Sequence, residues 1–192
     1  MSIPKRLLSH LERCDIAHEV LPHRKVFTAF DLAQTLGEEL GAVAKSVLVR
    51  ADRDLVLVSV PADTRIDFDR LKKVTGAKKV SIASEQAIAQ LKIKVGTTPP
   101  FGTFFGVRCV LDSGLAKCRR IVCRAGSHTE SLRCDVQDFI DAEAPVVAKV
   151  SERVRRSMKS RSSKSKKPTV AKRSAKKPAK KKPVKRSRAA RR

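Results

Sequence analysis

Along the first 150 residues the apolar positions switch repeatedly between helical and extended spacing. Leu7, Leu8 and Leu11 form one stripe of a short helix, with Ser2 as its expected cap and Pro4 in the first turn. Thr28-Ala29-Phe30-Asp31 has the pattern of a capping box. Leu32, Ala33 and Leu36 follow on one face, with Gly37 as the stop. Two β-rich runs, Val43–Arg50 and Leu55–Val60, flank Ala51-Asp52-Arg53-Asp54, the spacing of a hairpin with a four-residue loop. Both runs are apolar over most of their length, so the hairpin is expected at the centre of a sheet.

Asp67 starts a further helix that carries Phe68, Leu71 and Val74 and stops at Gly76. Lys79–Ala83 reads as a strand, and Ser84 opens a helix that reaches about Leu91. The pattern then breaks at Gly96-Thr97-Thr98-Pro99-Pro100-Phe101-Gly102, which suits neither a helix nor a central strand. Val107–Asp112, Arg120–Arg124 and Ser131–Cys134 read as strands, and Asp135 caps a last helix through Phe139 and Ile140. Hairpins mixed with crossovers indicate an α/β domain built on a mixed sheet.

Charge divides the chain in two. Of the net +24, residues from Arg153 onward carry +20 with no acidic residue, while residues 1–152 carry +4. All seven Phe and all eight Gly also precede residue 153. The expected organisation is one domain over 1–150 with a real core, followed by a disordered Lys/Arg/Ala/Pro-rich tail over 151–192. Two full globular domains are excluded. No run reaches the roughly 18 apolar residues of a membrane span, and MSIPKRLLSHLERCD lacks the apolar core of a secretory signal. Five cysteines leave an odd one in any disulfide scheme and contain no CxxC pair, so reduced thiols are expected rather than a zinc ribbon. These features predict a cytoplasmic protein with neither metal nor cofactor.

Twenty cations on a flexible arm will bind any polyphosphate through counterion release. The tail has no aromatic residue for base stacking, so it is not expected to read sequence. A plain solubilising extension is the alternative. In the domain there is no GxSxG, HExxH, P-loop or GxGxxG after a strand. Lys45, between Ala44 and Ser46 at the start of an apolar strand, either sits on a solvated strand end or faces a pocket as an anion-holding cation. The Gly96–Gly102 loop is either a tight connection or a rigid bend that aims backbone N–H groups at a ligand. His128 follows a strand and a glycine, a common place for a site residue and also for an exposed histidine.

Taken in order, Ile3-Pro4, Glu19-Val20-Leu21-Pro22-His23, Thr28-Ala29, Val43-Ala44-Lys45-Ser46-Val47, Val60-Pro61-Ala62, Gly96–Gly102 and Ala125-Gly126-Ser127-His128 resemble the YbaK/prolyl-tRNA-synthetase-associated family. The resemblance runs from about residue 3 to residue 142 and leaves out the tail. It implies a mixed-sheet α/β editing domain that hydrolyses the ester joining a wrong amino acid to tRNA. Carried over residue by residue, it implies catalytic roles for Lys45, Gly96 and Pro100. It implies substrate contacts for Thr28, Ser46, Thr97, Thr98, Pro99, Phe101, Gly102, Gly126 and His128. Lys45 would hold the terminal adenosine end, the loop would position the ester carbonyl, and water would attack with help from the neighbouring ribose hydroxyl.

Aminoacylated tRNA is therefore the expected partner, with Ala, Ser or Cys on tRNA for proline as the candidate substrates. The tail adds other nucleic acid as a candidate partner, and a synthetase is a third. A non-enzymatic, histone-like nucleic-acid binder that uses the domain as a scaffold is the competing expectation.

Overall fold

The computed structural model of the chain describes residues 2–92 and 96–153. Of the tail expected to be disordered over 151–192, residues 154–192 lie outside the described residues, as do Ile93, Lys94 and Val95. The apolar hairpin lies at the centre, as its composition requires. β2 (Val43–Ala51) and β3 (Asp54–Pro61) pair antiparallel from Ala44↔Pro61 to Ala51↔Asp54. On one side β2 meets β7 (Arg120–Arg124) in parallel, and β7 continues antiparallel into β8 (Glu130–Asp135) and then β1 (His18–Pro22). On the other side β3 meets β6 (Arg108–Asp112) and then β9 (Val146–Ala148), both parallel. Short β5 (Val80–Ile82) pairs with the far end of β2. The result is a mixed sheet in an α/β domain.

Side-chain alternation sends successive residues of the hairpin to opposite faces. Ala44, Leu48 and Leu57 face helices α1 (Lys5–Arg13), α4 (Glu85–Gln90), α5 (Gly102–Phe105) and α6 (Val136–Glu143). Val43, Val49, Val56 and Val58 face α2 (Ala29–Leu36) and α3 (Phe68–Thr75). Leu7, Leu11, Leu32, Leu71 and Phe139 anchor those helices from fully buried positions. Each such side chain contributes about 1.5–3 kcal/mol of apolar burial.

The caps read from the sequence are largely present. Thr28 Oγ1 accepts from the Asp31 amide at 3.0 Å, Asp67 accepts from two amides at 3.1 Å, and Ser84 and Asp135 cap α4 and α6. Gly37 and Gly76 close their helices in the left-handed conformation that glycine adopts without strain. Helix α1 differs from expectation. Pro4 occupies its cap position with no side-chain cap, and Ser2 lies outside, because the Ile3 amide is drawn to Glu130 at 2.7 Å.

The hairpin loop is also tighter than expected. Ala51 and Asp54 pair, leaving Asp52-Arg53 as a two-residue turn with Asp52 at φ +53°. Strand β4 (Thr64–Ile66) pairs with β10 (Ser151–Arg153), so regular structure continues past residue 150. Asp112 secures that segment, its buried carboxylate accepting from the amides of Gly114 at 2.8 Å and Val150 at 2.9 Å and from Lys149 at 3.3 Å.

Candidate functional site

β2 and β7 pair only through Val43↔Val122 and Ala44↔Cys123, and then part. A crevice at the carboxyl end of a strand, where parallel neighbours diverge, is where open α/β sheets bind ligands. Lys45 and Ser46 are the next residues on β2, and Arg124, Ala125 and Gly126 the next at the end of β7. Lys45, Ser46 and Gly126, singled out in the sequence, lie at this fork, and the unforeseen Arg124 joins them.

Lys45 projects on the face shared with Val43 and Val47. It is half-buried, and its Nζ donates to the main-chain carbonyl of Thr64 at the end of the hairpin. Burial pushes its pKa below the ordinary lysine value, and the nearby Asp63 carboxylate opposes that shift. Ser46 turns to the opposite face and shares a hydrogen bond at 3.0 Å with Ser59, its partner across the hairpin.

The start of α2 closes one wall. Thr28 caps the helix, and its carbonyl accepts from Arg124 Nη2 at 3.1 Å. Arg124 lies on the same sheet face as Lys45, two residues beyond the Val43↔Val122 pair. It is 5% exposed, and its Nη1 is a buried donor with no hydrogen-bond partner. Burial pushes this guanidinium's pKa down, and Asp31 works against that. The sequence reading passed over Arg124, although a charged residue at the inner end of an apolar strand was a signal that could have found it.

The glycine-proline loop meets the end of β7 and the segment that leads into α2. The Gly126 amide donates to the Thr97 carbonyl at 2.9 Å, which pins the loop to the end of β7. Gly96 sits at φ +80°, and a Cβ there would lie 3.5 Å from the Phe27 carbonyl and 4.0 Å from His128 Cε1. His128 is held by Val26, through the Val26 amide at 3.0 Å and a ring contact from Nδ1 to the Val26 carbonyl at 3.2 Å. The Phe27 ring meets that of His128 at 5.1 Å and 51°, and remains 61% exposed, with Lys25 Nζ 5.2 Å from it. An exposed aromatic beside a histidine is a surface on which a planar base can stack.

The rest of the loop turns inward. Thr97, Pro99 and Pro100 are buried, and Thr98 is partly exposed. Pro100's carbonyl accepts from Cys109 Sγ at 3.5 Å. Phe101 is 0% exposed and packs on Phe139 at 5.7 Å between ring centroids. A Cβ on Gly102 would lie 2.6 Å from the Val107 carbonyl. Phe101 and Gly102, carried over as substrate contacts, lie in the core, where the ring's apolar surface and the missing Cβ fix the loop's course from beneath. A cleft of about 650 Å³ opens on the α1 and α5 side, lined by Pro4, Leu7, Leu91, Thr97, Pro99 and Phe104 among others. It reaches the loop from the sheet face opposite Lys45.

The site offers no thiol nucleophile among the cysteines with a resolved shift. Burial pushes the Cys109 thiol up to about 12, and Glu143 adds to the effect. A hydrogen bond with Cys134 and burial raise Cys123, and burial raises Cys118. Such thiols stay protonated at neutral pH. One hydroxyl–histidine–carboxylate cluster exists away from the fork, but Thr103 donates both its hydroxyl and its amide to Glu143, at 2.5 and 2.9 Å. That geometry ties down the start of α5 instead of freeing an oxygen to attack. Among the described residues no cluster of metal-ligating side chains occurs, and no helix is long and apolar enough to cross a membrane. What the fork does offer is a cation, oriented main-chain groups, a histidine and an exposed ring.

Residues 23–142 match the family model of the aminoacyl-tRNA editing domain. The uncharacterised protein YwhH of Bacillus subtilis is 26% identical over 106 residues, covering 55% of this chain and 68% of YwhH. The prolyl-tRNA editing protein ProX of Acetoanaerobium sticklandii is 27% identical, over 53% of this chain and 64% of ProX. A proline–tRNA ligase of Thermosipho melanesiensis is also 27% identical, with the match spanning 54% of this chain and 18% of the ligase. Among solved structures, hypothetical protein APE2540 superposes with a TM-score of 0.70 at 22% identity, covering 77% of this chain and 99% of that one. A protein described as a candidate trans-editing enzyme for prolyl-tRNA synthetase gives 0.68 at 22% identity, over 77% and 96%. Both likenesses establish the fold. With its matched segment spanning well over half of its length, from just after β1 into α6, the chain belongs to the aminoacyl-tRNA editing domain family.

Proposed function

We propose that the chain hydrolyses the ester of misacylated tRNA, removing a small residue such as Ala, Ser or Cys from tRNA for proline. The observation that carries this reading is the parting of β7 from β2 beside Lys45, with Gly126 at the end of β7 pinned to Thr97 of the glycine-proline loop, in a domain of the editing family. Water adds to the ester carbonyl carbon, the carbon–oxygen bond to the ribose breaks, and the ribose oxygen recovers a proton. The products are a free amino acid and intact tRNA. An activated ester needs no protein nucleophile, only a fixed carbonyl, a placed water and stabilisation of the developing oxyanion.

Lys45 holds the nucleotide end of the substrate, the Gly96–Pro100 backbone positions the carbonyl, and His128 with Phe27 receives the terminal base. Pro100 acts through the loop it stiffens. Selection by pocket size is modest, since one methylene is worth about 1–3 kcal/mol, so tRNA identity supplies the remaining discrimination. The basic tail raises affinity for the nucleic acid without reading its sequence; with about ten phosphates engaged, log K falls against log salt with a slope near −9.

A panel of Ala-, Ser- and Cys-tRNA for proline, treated with the full chain and with a version ending at Arg153, tests the reading. Clearance of one ester by both proteins, with a shallower salt dependence for the shorter one, supports it. Tight nucleic-acid binding with no ester cleared would favour the scaffold reading instead.

A further inference from the structure

The end of the central hairpin far from the fork carries a cluster of cations that the proposed chemistry does not use. The Asp52-Arg53 turn is clamped to the segment before β5. Asp52 accepts from the amides of Lys78 at 3.0 Å and Lys79 at 2.8 Å, while its own amide donates to the Lys79 carbonyl at 2.8 Å. Those amides hold its carboxyl below the usual range, with a smaller contribution from the Lys78 cation. The side chains of Arg53, Lys78 and Lys79 are left exposed around it, and Arg50 reaches the Arg53 carbonyl at 3.5 Å. None of these four forms an ion pair among the described residues, and the neighbouring Asp54 is taken by Arg108 at 3.6 Å.

The clamp fixes the backbone from which these four cationic side chains project. β2 also fixes its distance from the site. Ala51 lies six residue steps along extended strand from Lys45, or about 20 Å at the usual rise. A ligand that touches both ends must therefore be long, stiff and anionic. Residues 50–54 and 78–79 contain no aromatic side chain, so the corner suits a phosphate backbone and not unstacked bases.

We infer that this corner, formed by Arg50, Arg53, Lys78 and Lys79, docks the phosphate backbone of the RNA duplex whose 3′ end enters the fork. The inference rests on the editing reading for the identity of that RNA. The hairpin then acts as a ruler, gripping the duplex at one end while the ester is presented at the other.

The test compares the full chain with Arg53→Ala/Lys78→Ala/Lys79→Ala. These side chains are exposed and the Asp52 clamp runs through main-chain amides, so the fold is retained; a matching far-ultraviolet spectrum and melting curve verify this. Binding of uncharged tRNA is measured against salt, and turnover is measured on aminoacyl-tRNA and on an aminoacylated CCA trinucleotide, which has no duplex. The expected result is at least about tenfold weaker tRNA binding at physiological salt and a slope reduced by roughly 2–3, with trinucleotide turnover unchanged. Unchanged affinity and slope would overturn the inference, as would equal competition by duplex DNA of the same length. If no variant hydrolyses either substrate, the editing reading fails while the binding arm still judges the corner.

Discussion

The Lys45 ammonium donates to the main-chain carbonyl of Thr64, linking the first residues of β2 to the segment that leaves β3. The contact holds the ammonium in one place beside the fork, and burial lowers its pKa. The sign follows directly. A buried amine whose folded pKa is depressed loses its charge at a lower pH than the unfolded chain, so its share of stability rises as pH climbs from the folded value to 10.5. Function moves the other way if the cation holds the substrate. Enzyme-catalysed turnover, corrected for spontaneous ester hydrolysis, is expected to fall on an alkaline limb that begins below 10.5. Lys45→Arg, which stays charged, is expected to abolish that limb whatever its effect on the plateau. A pH profile of both proteins measures this.

Phe27 is exposed, and its ring contacts are with His128 and Lys25. Its removal should leave stability within about 0.5 kcal/mol. If the ring stacks on a base, Phe27→Ala loses about 1–3 kcal/mol of substrate binding, seen as a KM raised about 5- to 150-fold. Phe27→Tyr should restore most of it.

The two glycines that bracket the loop are predicted to fail in different ways. At Gly96 a Cβ has room but φ is +80°, so Gly96→Ala costs about 1–2 kcal/mol in backbone strain and shifts the Phe27–His128 wall. Activity should drop more than stability. At Gly102 the Cβ would meet the Val107 carbonyl at 2.6 Å and Cys109 Cβ at 3.0 Å. Gly102→Ala should therefore destabilise by about 1–3 kcal/mol or more. Denaturant melts and kcat/KM for both variants separate the cases.

Much of this was legible because the relevant signals are local. The Thr28, Asp67, Ser84 and Asp135 caps and the Gly37 and Gly76 stops each depend on one turn of chain, and all are present. Strands Arg120–Arg124 and Val43–Ala51 announced themselves by β-branched runs. β4, β9 and β10 have three residues each and depend on pairing with distant partners, so no periodicity marks them. In the site, Lys45 and the loop stood out as residues odd for their surroundings. Arg124 and Phe27 acquire meaning only when the parting of β7 from β2 brings them to the same fork. Phe101 shows the converse, since a loop position gives no hint that its side chain enters the core.

Asp112 is the clearest stability determinant outside the site. Its fully buried side chain satisfies the amides of Gly114 and Val150 and meets Lys149. Burial alone would raise its pKa, but the amide, Ser151 and Lys149 contacts outweigh that and lower it. Its contribution is thus complete above the ordinary aspartate value and is lost as pH falls through the lower folded value. Asp112→Ala should destabilise by about 2–4 kcal/mol at pH 7, leaving buried donors unpaired. The difference from the parent should shrink below about pH 4, as pH-dependent melts would record.

The central claim is that Lys45, in the fork of β2 and β7, holds the substrate for ester hydrolysis. Single-turnover clearance of the ester selected from the mischarged tRNA panel, by the full chain and by Lys45→Ala, tests it most directly. The account predicts rapid release of the amino acid by the parent and a rate about 10²–10³ lower for the variant, with the melting curve showing that the fold is kept. Clearance by Lys45→Ala at the parent's rate would contradict it.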